Sequence, residues 1–263
     1  MSDLPGDVRY AFRSFRRSPL QALLIVLVLG VGVGSVTLMF SALNASVLRP
    51  LPYPEPERLV WLWKASDEVG RNSVSYEDFM DYRLGLDALQ DLGATQLFHP
   101  RLLISGERSS ERVEGNLVTP NLFSVLGVEP ALGRSFRWDE AVEGGPAVAI
   151  LSHSLWQSRF GGDPGVLART IELDGAPTEI VGVMPQGFEF RIPAQVWLPT
   201  REGSGATTGR NNNNFFLVGR LREGVSLQQA QAQVDGIASQ IQEAHPEYAN
   251  WFHWLEPLHD VFF

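Results

Sequence analysis

The side chains best suited to chemistry in this chain are its five histidines, since it has no cysteine. His99, His153, His245, His253 and His259 are scattered, with no His-Glu-x-x-His and no pair at helical spacing, so the pattern of an imidazole-ligated metal site is missing. Zero cysteine removes disulfides, Cys-ligated zinc, iron–sulfur sites and thiol nucleophiles, but it leaves the compartment open. Ser204 sits between Gly203 and Gly205 without a Gly-x-Ser-x-Gly elbow, and reads as part of a mobile surface segment running to Asn211-Asn212-Asn213-Asn214. Asp139, Glu140 and Glu143 could pair as acid and base. They also follow Gly133-Arg134-Ser135-Phe136 in a turn before Gly144-Gly145-Pro146, where carboxylates solvate or cap a loop, and that is the preferred reading. Lys64 is the only lysine and lies in Trp63-Lys64-Ala65, not in the Gly-Lys-Ser/Thr of a phosphate loop, so the chain has no Walker lysine. Trp61, Trp63, Trp156 and Trp197 could wall a ligand surface, with core packing the default. No catalytic, cofactor-binding or metal residue is assigned, and the chain is expected to be no enzyme.

The elements that would position such residues come in two unlike parts. With 263 residues, 44% of them hydrophobic and 19% charged, the chain has the composition of a globular protein of one large domain or two small ones. Its net charge of −9 argues against binding nucleic acid by phosphate neutralisation. Yet Ser18 through Leu48 carry no charge at all. As a helix this stretch is about 46 Å long, more than the hydrocarbon thickness of a bilayer. One membrane span over 19–48 is expected.

Arg9, Arg13, Arg16 and Arg17 outweigh Asp3 and Asp7 ahead of it, which puts the N-terminus in the cytoplasm and the acidic remainder outside. A cleaved signal peptide would need a shorter core and a small-x-small exit, whereas this run ends in Asn44-Ala45-Ser46-Val47-Leu48-Arg49. Residues 1–18 read either as a basic cytoplasmic flank or as an interfacial helix, because Val8, Phe12 and Phe15 share one face. Gly30 and Gly34 form Gly-x-x-x-Gly, a spacing that lets another helix approach closely. Pro50, Pro52 and Pro54, with Pro56, make residues 49–57 a stiff connector.

Beyond the connector the pattern alternates strands and helices. Arg58 to Lys64 reads as a strand, and Ser75 with Asp78 opens a helix whose stripe is Phe79, Tyr82 and Leu86. Thr119-Pro120 is expected to cap a short helix, and Asp174-Gly175 to turn a hairpin. Phe215 to Leu221 reads as a strand. Ser226 and Gln229 form a capping box ahead of an amphipathic helix with Leu227, Ala230, Val234, Ile237 and Ile241. The expected class is α+β, with strand–helix units flanking an inserted middle.

Several ordered blocks resemble one family. Leu29-Gly30-Val31-Gly32-Val33-Gly34 with Leu48-Arg49-Pro50-Leu51-Pro52-Tyr53 is similar to the first membrane helix and exit loop of MacB-like ABC transporter permeases, especially the acidobacterial duplicated orphan type. Pro120 to Pro130 with Gly133-Arg134-Ser135-Phe136, Val148 to Pro164, Val181-Gly182-Val183-Met184-Pro185, and Gly219 to Ser226 continue the resemblance. It implies a MacB-like periplasmic core domain over 58–263, with a porter-like part split by an inserted α+β subdomain at roughly 119–205. The resemblance further implies an inner-membrane permease with a periplasmic ectodomain. Its partners would be an ABC ATPase subunit, a homodimer mate or second permease half, and a periplasmic adaptor, besides the lipid bilayer. No cofactor is implied. Because relatives continue through more ectodomain and further membrane helices, the chain is expected to be the N-terminal portion of a permease, unable to transport alone. The alternative is a single-pass anchored module that binds or senses a periplasmic ligand.

Overall fold

The computed structural model describes residues 19–46, 51–97, 100–105, 110–191 and 193–262. They fall in two compact units that meet in sequence between Pro50 and Leu51.

The first unit contains helix α1, Pro19–Ser46. Leucine, valine and alanine favour this state, Pro19 is tolerated at the first turn, and no charge interrupts the run. Two of its hydroxyls bond back to the helix, Ser35 donating to the Val31 carbonyl at 2.7 Å and Thr37 to that of Val33 at 2.8 Å. Described apolar side chains such as Leu29, Val33 and Phe40 are exposed. Counting only residues whose side chains are described, continuous from 26 to 40, no helix is long and apolar enough to cross a membrane.

The second unit is built on one 12-stranded sheet. In chain order its strands are β1 Leu59–Ser66, β2 Gly70–Asn72, β3 Leu89–Gln96, β4 Arg101–Ser105, β5 Glu111–Val118 and β6 Leu132–Gly133. They continue with β7 Val148–Leu151, β8 Thr170–Leu173, β9 Ala176–Val183, β10 Val196–Pro199, β11 Phe215–Leu221 and β12 Trp251–Pro257. The helices are α2 Tyr76–Gly85, α3 Leu122–Leu126, α4 His153–Phe160, α5 Leu227–Ala244 and α6 Leu258–Phe262.

The sheet has two regimes. Strands β5, β10, β7, β9, β8 and β4 pair in a circle, closed by the parallel pairing of β10 with β5. All of them contribute to one core that includes Ile104, Val113, Leu151, Ile171, Ile180 and Val196. From β5 the sheet runs open through β3, β11 and β1 to β12. Side chains alternate between faces along a strand, so β1 sends Val60 and Leu62 to one core and Trp61 and Trp63 to another. The first core lies under α2 and α5, with Phe79, Tyr82, Val234 and Ile241.

The hairpin of β8 and β9 turns at Asp174 and Gly175, both with positive φ (48° and 81°), as a primed turn requires. Ser226 and Gln229 do form a capping box at α5. The expected cap at Thr119 is different: its hydroxyl accepts from Ala94 N–H at 2.8 Å across to β3, and α3 begins after Asn121. Strands β3 and β12 escape the periodicity. β3 reads Leu-Gln-Asp-Leu-Gly-Ala-Thr-Gln, and its Gly93 is needed because a Cβ there would lie 2.9 Å from the Leu122 backbone.

Candidate functional site

Two buried polar junctions hold the second unit together where its segments converge. At the first, β1 carries Lys64 into the core beside α2, where its ammonium lies 2.8 Å from Asp78 Oδ2. It also donates to Asn213 Oδ1 at 3.2 Å and stands over the rings of Trp251 and Tyr248, at 4.8 and 5.3 Å. The second oxygen of Asp78 accepts from Arg210, whose guanidinium also reaches Asp81 at 2.8 Å. Burial pushes the Asp78 carboxyl up, and Lys64 and Arg210 more than reverse this, so it sits below its ordinary value. Alongside, His253 of β12 packs against Tyr82, ring centres 5.1 Å apart, with no hydrogen-bond partner for either nitrogen among the described residues. Burial lowers its pKa to about 4, so the imidazole is neutral.

At the second junction Arg220, on β11, is almost wholly buried. Its Nε donates to the Val125 carbonyl at 2.8 Å and Nη1 to the Pro54 carbonyl at 3.1 Å. Tyr53 is held too, donating its hydroxyl to the Glu189 carbonyl at 2.7 Å, while Leu51 and Tyr53 join the core of Trp61 and Phe123. Residues 51–54 are therefore fastened by apolar burial, by the Pro54 carbonyl to β11 and by the Tyr53 hydroxyl to the segment between β9 and β10.

Pro52 and Pro54 lie on this fastened stretch with exposed rings, and Pro50 lies outside the described residues. Gly30 and Gly34 are on α1, where an added Cβ would meet nothing within 4 Å. The proposed chemistry residues are not brought together. Glu140 is no solvated charge: it is fully buried, paired with Arg134 and accepting from Arg137 N–H at 2.8 Å, which makes it the organiser of its turn. Asp139 pairs with Arg137 at the surface, and Glu143 is exposed. Trp61, Trp63 and Trp197 are buried, while Trp156 is half-buried against His153. His99 lies outside the described residues, and among those described no group of His, Asp and Glu could hold a metal ion. The segment leading to Asn214 is tied down instead of mobile, since Asn213 bonds Lys64 and accepts from Ser73 at 2.6 Å, and Asn214 is buried.

A cleft of about 430 Å³ opens between α2 and α5, walled by Leu84, Ile237 and Ile241 with Asp81, Arg210 and His245 at its polar side. It borders the Lys64 junction through Arg210.

The sequence model of MacB-like periplasmic core domains matches residues 22–237. The chain belongs to this family. Its members are periplasmic domains of ABC-type transporter permeases, in which ATP hydrolysis lies with a partner. Solved structures share the fold of this MacB-like chain at low identity. A domain of a putative permease from Porphyromonas gingivalis is 18% identical with a TM-score of 0.61, covering 78% of this chain and 93% of that one. The extracellular domain of the noncanonic ABC-type transporter YknZ from Gram-positive bacteria is 17% identical with a TM-score of 0.52, covering 73% and 97%. The periplasmic region of MacB from Actinobacillus actinomycetemcomitans is 13% identical with a TM-score of 0.54, covering 78% and 90%. No curated protein sequence matches.

Sequence reasoning named Lys64 as the lone lysine and Asp78 as part of the α2 start, and missed that they pair with each other and with Arg210, and that Arg220 anchors a second junction in this MacB-like domain. Two signals were present: a lone lysine inside Val-Trp-Leu-Trp-Lys-Ala, and an arginine inside Phe-Phe-Leu-Val-Gly-Arg-Leu. A charge in an apolar strand must find a buried partner or leave the core.

Proposed function

We propose that this chain is the membrane-anchored ectodomain portion of an ABC transporter permease, which couples ATP hydrolysis by a cytoplasmic partner to export or partner docking in the periplasm. The observation that carries this reading is the extent of the family match, which starts at residue 22, inside α1, and runs through the second unit to residue 237. Helix and ectodomain are thus one family unit. In this reading α1 crosses the inner membrane once, with the basic flank in the cytoplasm. Its uncharged sequence and internally bonded hydroxyls suit a hydrocarbon environment. Gly30 and Gly34 serve helix packing, against a second copy or the other permease half. Residues 119–205 act as an inserted subdomain carried by a porter-like part on either side; β7, β8, β9 and β10 of the closed ring fall within those bounds, and β4 and β5 complete the ring from the segment before them. In this reading the chain works with an ABC ATPase subunit, a second copy or second permease half and, in the periplasm, an adaptor.

For such a device the fastening of residues 51–54 supplies the mechanical link. A pull on the connector is received by Tyr53 and by the Pro54 carbonyl on Arg220, and so by β11 in the middle of the open sheet. The second reading, an anchored ligand-sensing module, draws on the cleft between α2 and α5.

Topology is the first test. The chain lacks cysteine, so Ser2→Cys and Val69→Cys each introduce a unique thiol, and Val69 is exposed. A membrane-impermeant maleimide applied to intact spheroplasts should label the Val69→Cys protein at once and the Ser2→Cys protein only after permeabilisation. Equal labelling of both, or loss of the first 48 residues from the mature chain, would sink the reading. Coupling is tested by the ATPase of the partner subunit in proteoliposomes, which should respond to this chain assembled with the remaining permease elements.

A further inference from the structure

We infer that the sheet face bearing Trp63 and Trp254 is a contact surface for the anionic headgroups of a lipid bilayer, with Arg71 and Arg191 as the groups that engage them; this rests on the membrane reading of α1 given above.

The open end of the sheet is asymmetric. On one face α2 and α5 cover Val60, Leu62 and Leu255. On the other the strands are paved with aromatic rings: Trp61 lies 5.1 Å from Phe216 and 5.5 Å from Trp63, Trp63 stacks on Trp254 at 6.3 Å, and Trp254 on Phe252 at 5.8 Å. Helix α6 packs on β1 and β12 and buries Leu258 in the same core as Trp61, while Phe252 is left 49% exposed. Trp61, Trp63 and Phe216 are buried, and the pavement reaches the surface at half-buried Trp254 and exposed Phe252, beside the two arginines.

Two guanidinium groups lie on top of it. Arg191 stands 4.8 Å above Phe216 and 5.1 Å above Trp61, and Arg71 5.3 Å above Trp63 and 5.6 Å above Trp254. Arg191 has no carboxylate partner among the described residues. Arg71 has one, Glu256 at 3.5 Å, and that carboxylate is also engaged by the Trp63 indole N–H at 2.7 Å. A guanidinium over a ring can still offer N–H donors to a phosphate or carboxylate.

The chemistry of the patch specifies its partner. Tryptophan, tyrosine and arginine on an apolar base are the residues that settle at a membrane–water interface, with rings among the headgroups and guanidinium tips on phosphates. The chain is acidic overall at −9, so a cationic, aromatic patch within it complements an anionic, amphiphilic surface that the rest of the domain would repel. Tyr53 joins the same cluster through Phe190, at 6.4 Å, which stacks on Trp61 at 6.5 Å.

The experiment uses the full chain in lipid nanodiscs, with a fluorophore on a single cysteine introduced as Phe252→Cys or, on the opposite side of the sheet, as Leu84→Cys. The discs are zwitterionic, or contain an anionic phosphatidylglycerol fraction, and carry a quencher on the headgroup. In anionic discs the label at 252 should be quenched about threefold more than the label at 84, and less in zwitterionic discs. Arg71→Gln with Arg191→Gln should bring the signal at 252 down to that at 84, and Arg191→Lys with Arg71 intact should keep it. Equal quenching at both sites, or quenching that survives the double substitution, overturns the inference. So does a label at 252 shielded from aqueous iodide but untouched by the lipid quencher, which would assign the patch to a protein surface. A chain that does not load into discs refutes the membrane reading itself, whereas a chain that loads without contrast between the sites refutes only this inference.

Discussion

Lys64 Nζ lies 2.8 Å from Asp78 Oδ2 with both side chains all but excluded from water, at 2% and 1% exposure. A lone buried charge in such a position would be prohibitively costly, and this pair survives because each end is further bonded: Lys64 to Asn213 and Asp78 to Arg210. The pair therefore ties β1, α2 and the segment before β11 into one body.

The two ends are not equivalent. Asp78→Asn leaves Lys64 and Arg210 facing each other without their shared anion, whereas Lys64→Met leaves Asp78 still paired with Arg210. The expected losses of stability are about 4 kcal/mol and about 2 kcal/mol, measured by denaturant unfolding of the full chain in detergent. Equal losses would show that Arg210 does not share the burden.

The neutral state of His253 gives the domain an acid limit. Its folded pKa of about 4 lies below the ordinary value of 6.5, so the unfolded chain binds the proton more readily between those values. Stability should be full above pH 6.5 and fall through the window down to pH 4, by up to about 3 kcal/mol. Asp78 acts in the same direction at lower pH, because its depressed carboxyl contributes stability above the ordinary carboxylate pKa and loses it as acid protonates the folded form. His253→Phe should flatten the slope between pH 6.5 and 4, which thermal unfolding at stepped pH would show.

Arg220 is the anchor of the connector. Arg220→Met keeps the stem but strips donors from the Val125 and Pro54 carbonyls, for an expected cost of about 2 kcal/mol. Hydrogen exchange should accelerate around residues 51–54 and 122–127 and stay unchanged in β7 and β9. Uniform acceleration would argue against a local anchor.

The edge of the sheet is guarded by α5. Gln231 accepts from Leu255 N–H at 2.7 Å and donates to the His253 carbonyl at 3.1 Å, and Gln242 donates to the Trp251 carbonyl at 2.6 Å. These amides occupy groups that another strand would use. Gln231→Leu with Gln242→Leu should promote concentration-dependent association beyond that of the unaltered chain, visible when the two are sedimented in parallel.

Replacing Pro50, Pro52 and Pro54 by glycine should loosen the stretch that precedes β1 in sequence and is held by Arg220. In a complete permease the changes are expected to lower transport while ATP hydrolysis continues; normal transport would rule out a mechanical role.

Much of this was legible in the linear chain. A run of good helix formers without proline after its first residue announces the helix α1, and Ser226 with Gln229 announces α5 because a capping box is local. The hairpin at Asp174-Gly175 is local for the same reason. The blocks from Leu29 to Ser226 were enough to indicate the family. Only the tertiary structure could decide the rest. Asp78 and Arg210 are 132 residues apart, Arg220 and Pro54 are 166 apart, and nothing in their neighbours' spacing encodes the meeting. The cap that Glu140 makes on the Arg137 N–H was among the expected roles of a loop carboxylate, whereas its burial against Arg134 was not legible. Periodicity reports which face of an element is apolar; which charges share a low-dielectric interior is fixed by sheet order and by the cost of burying any one of them alone.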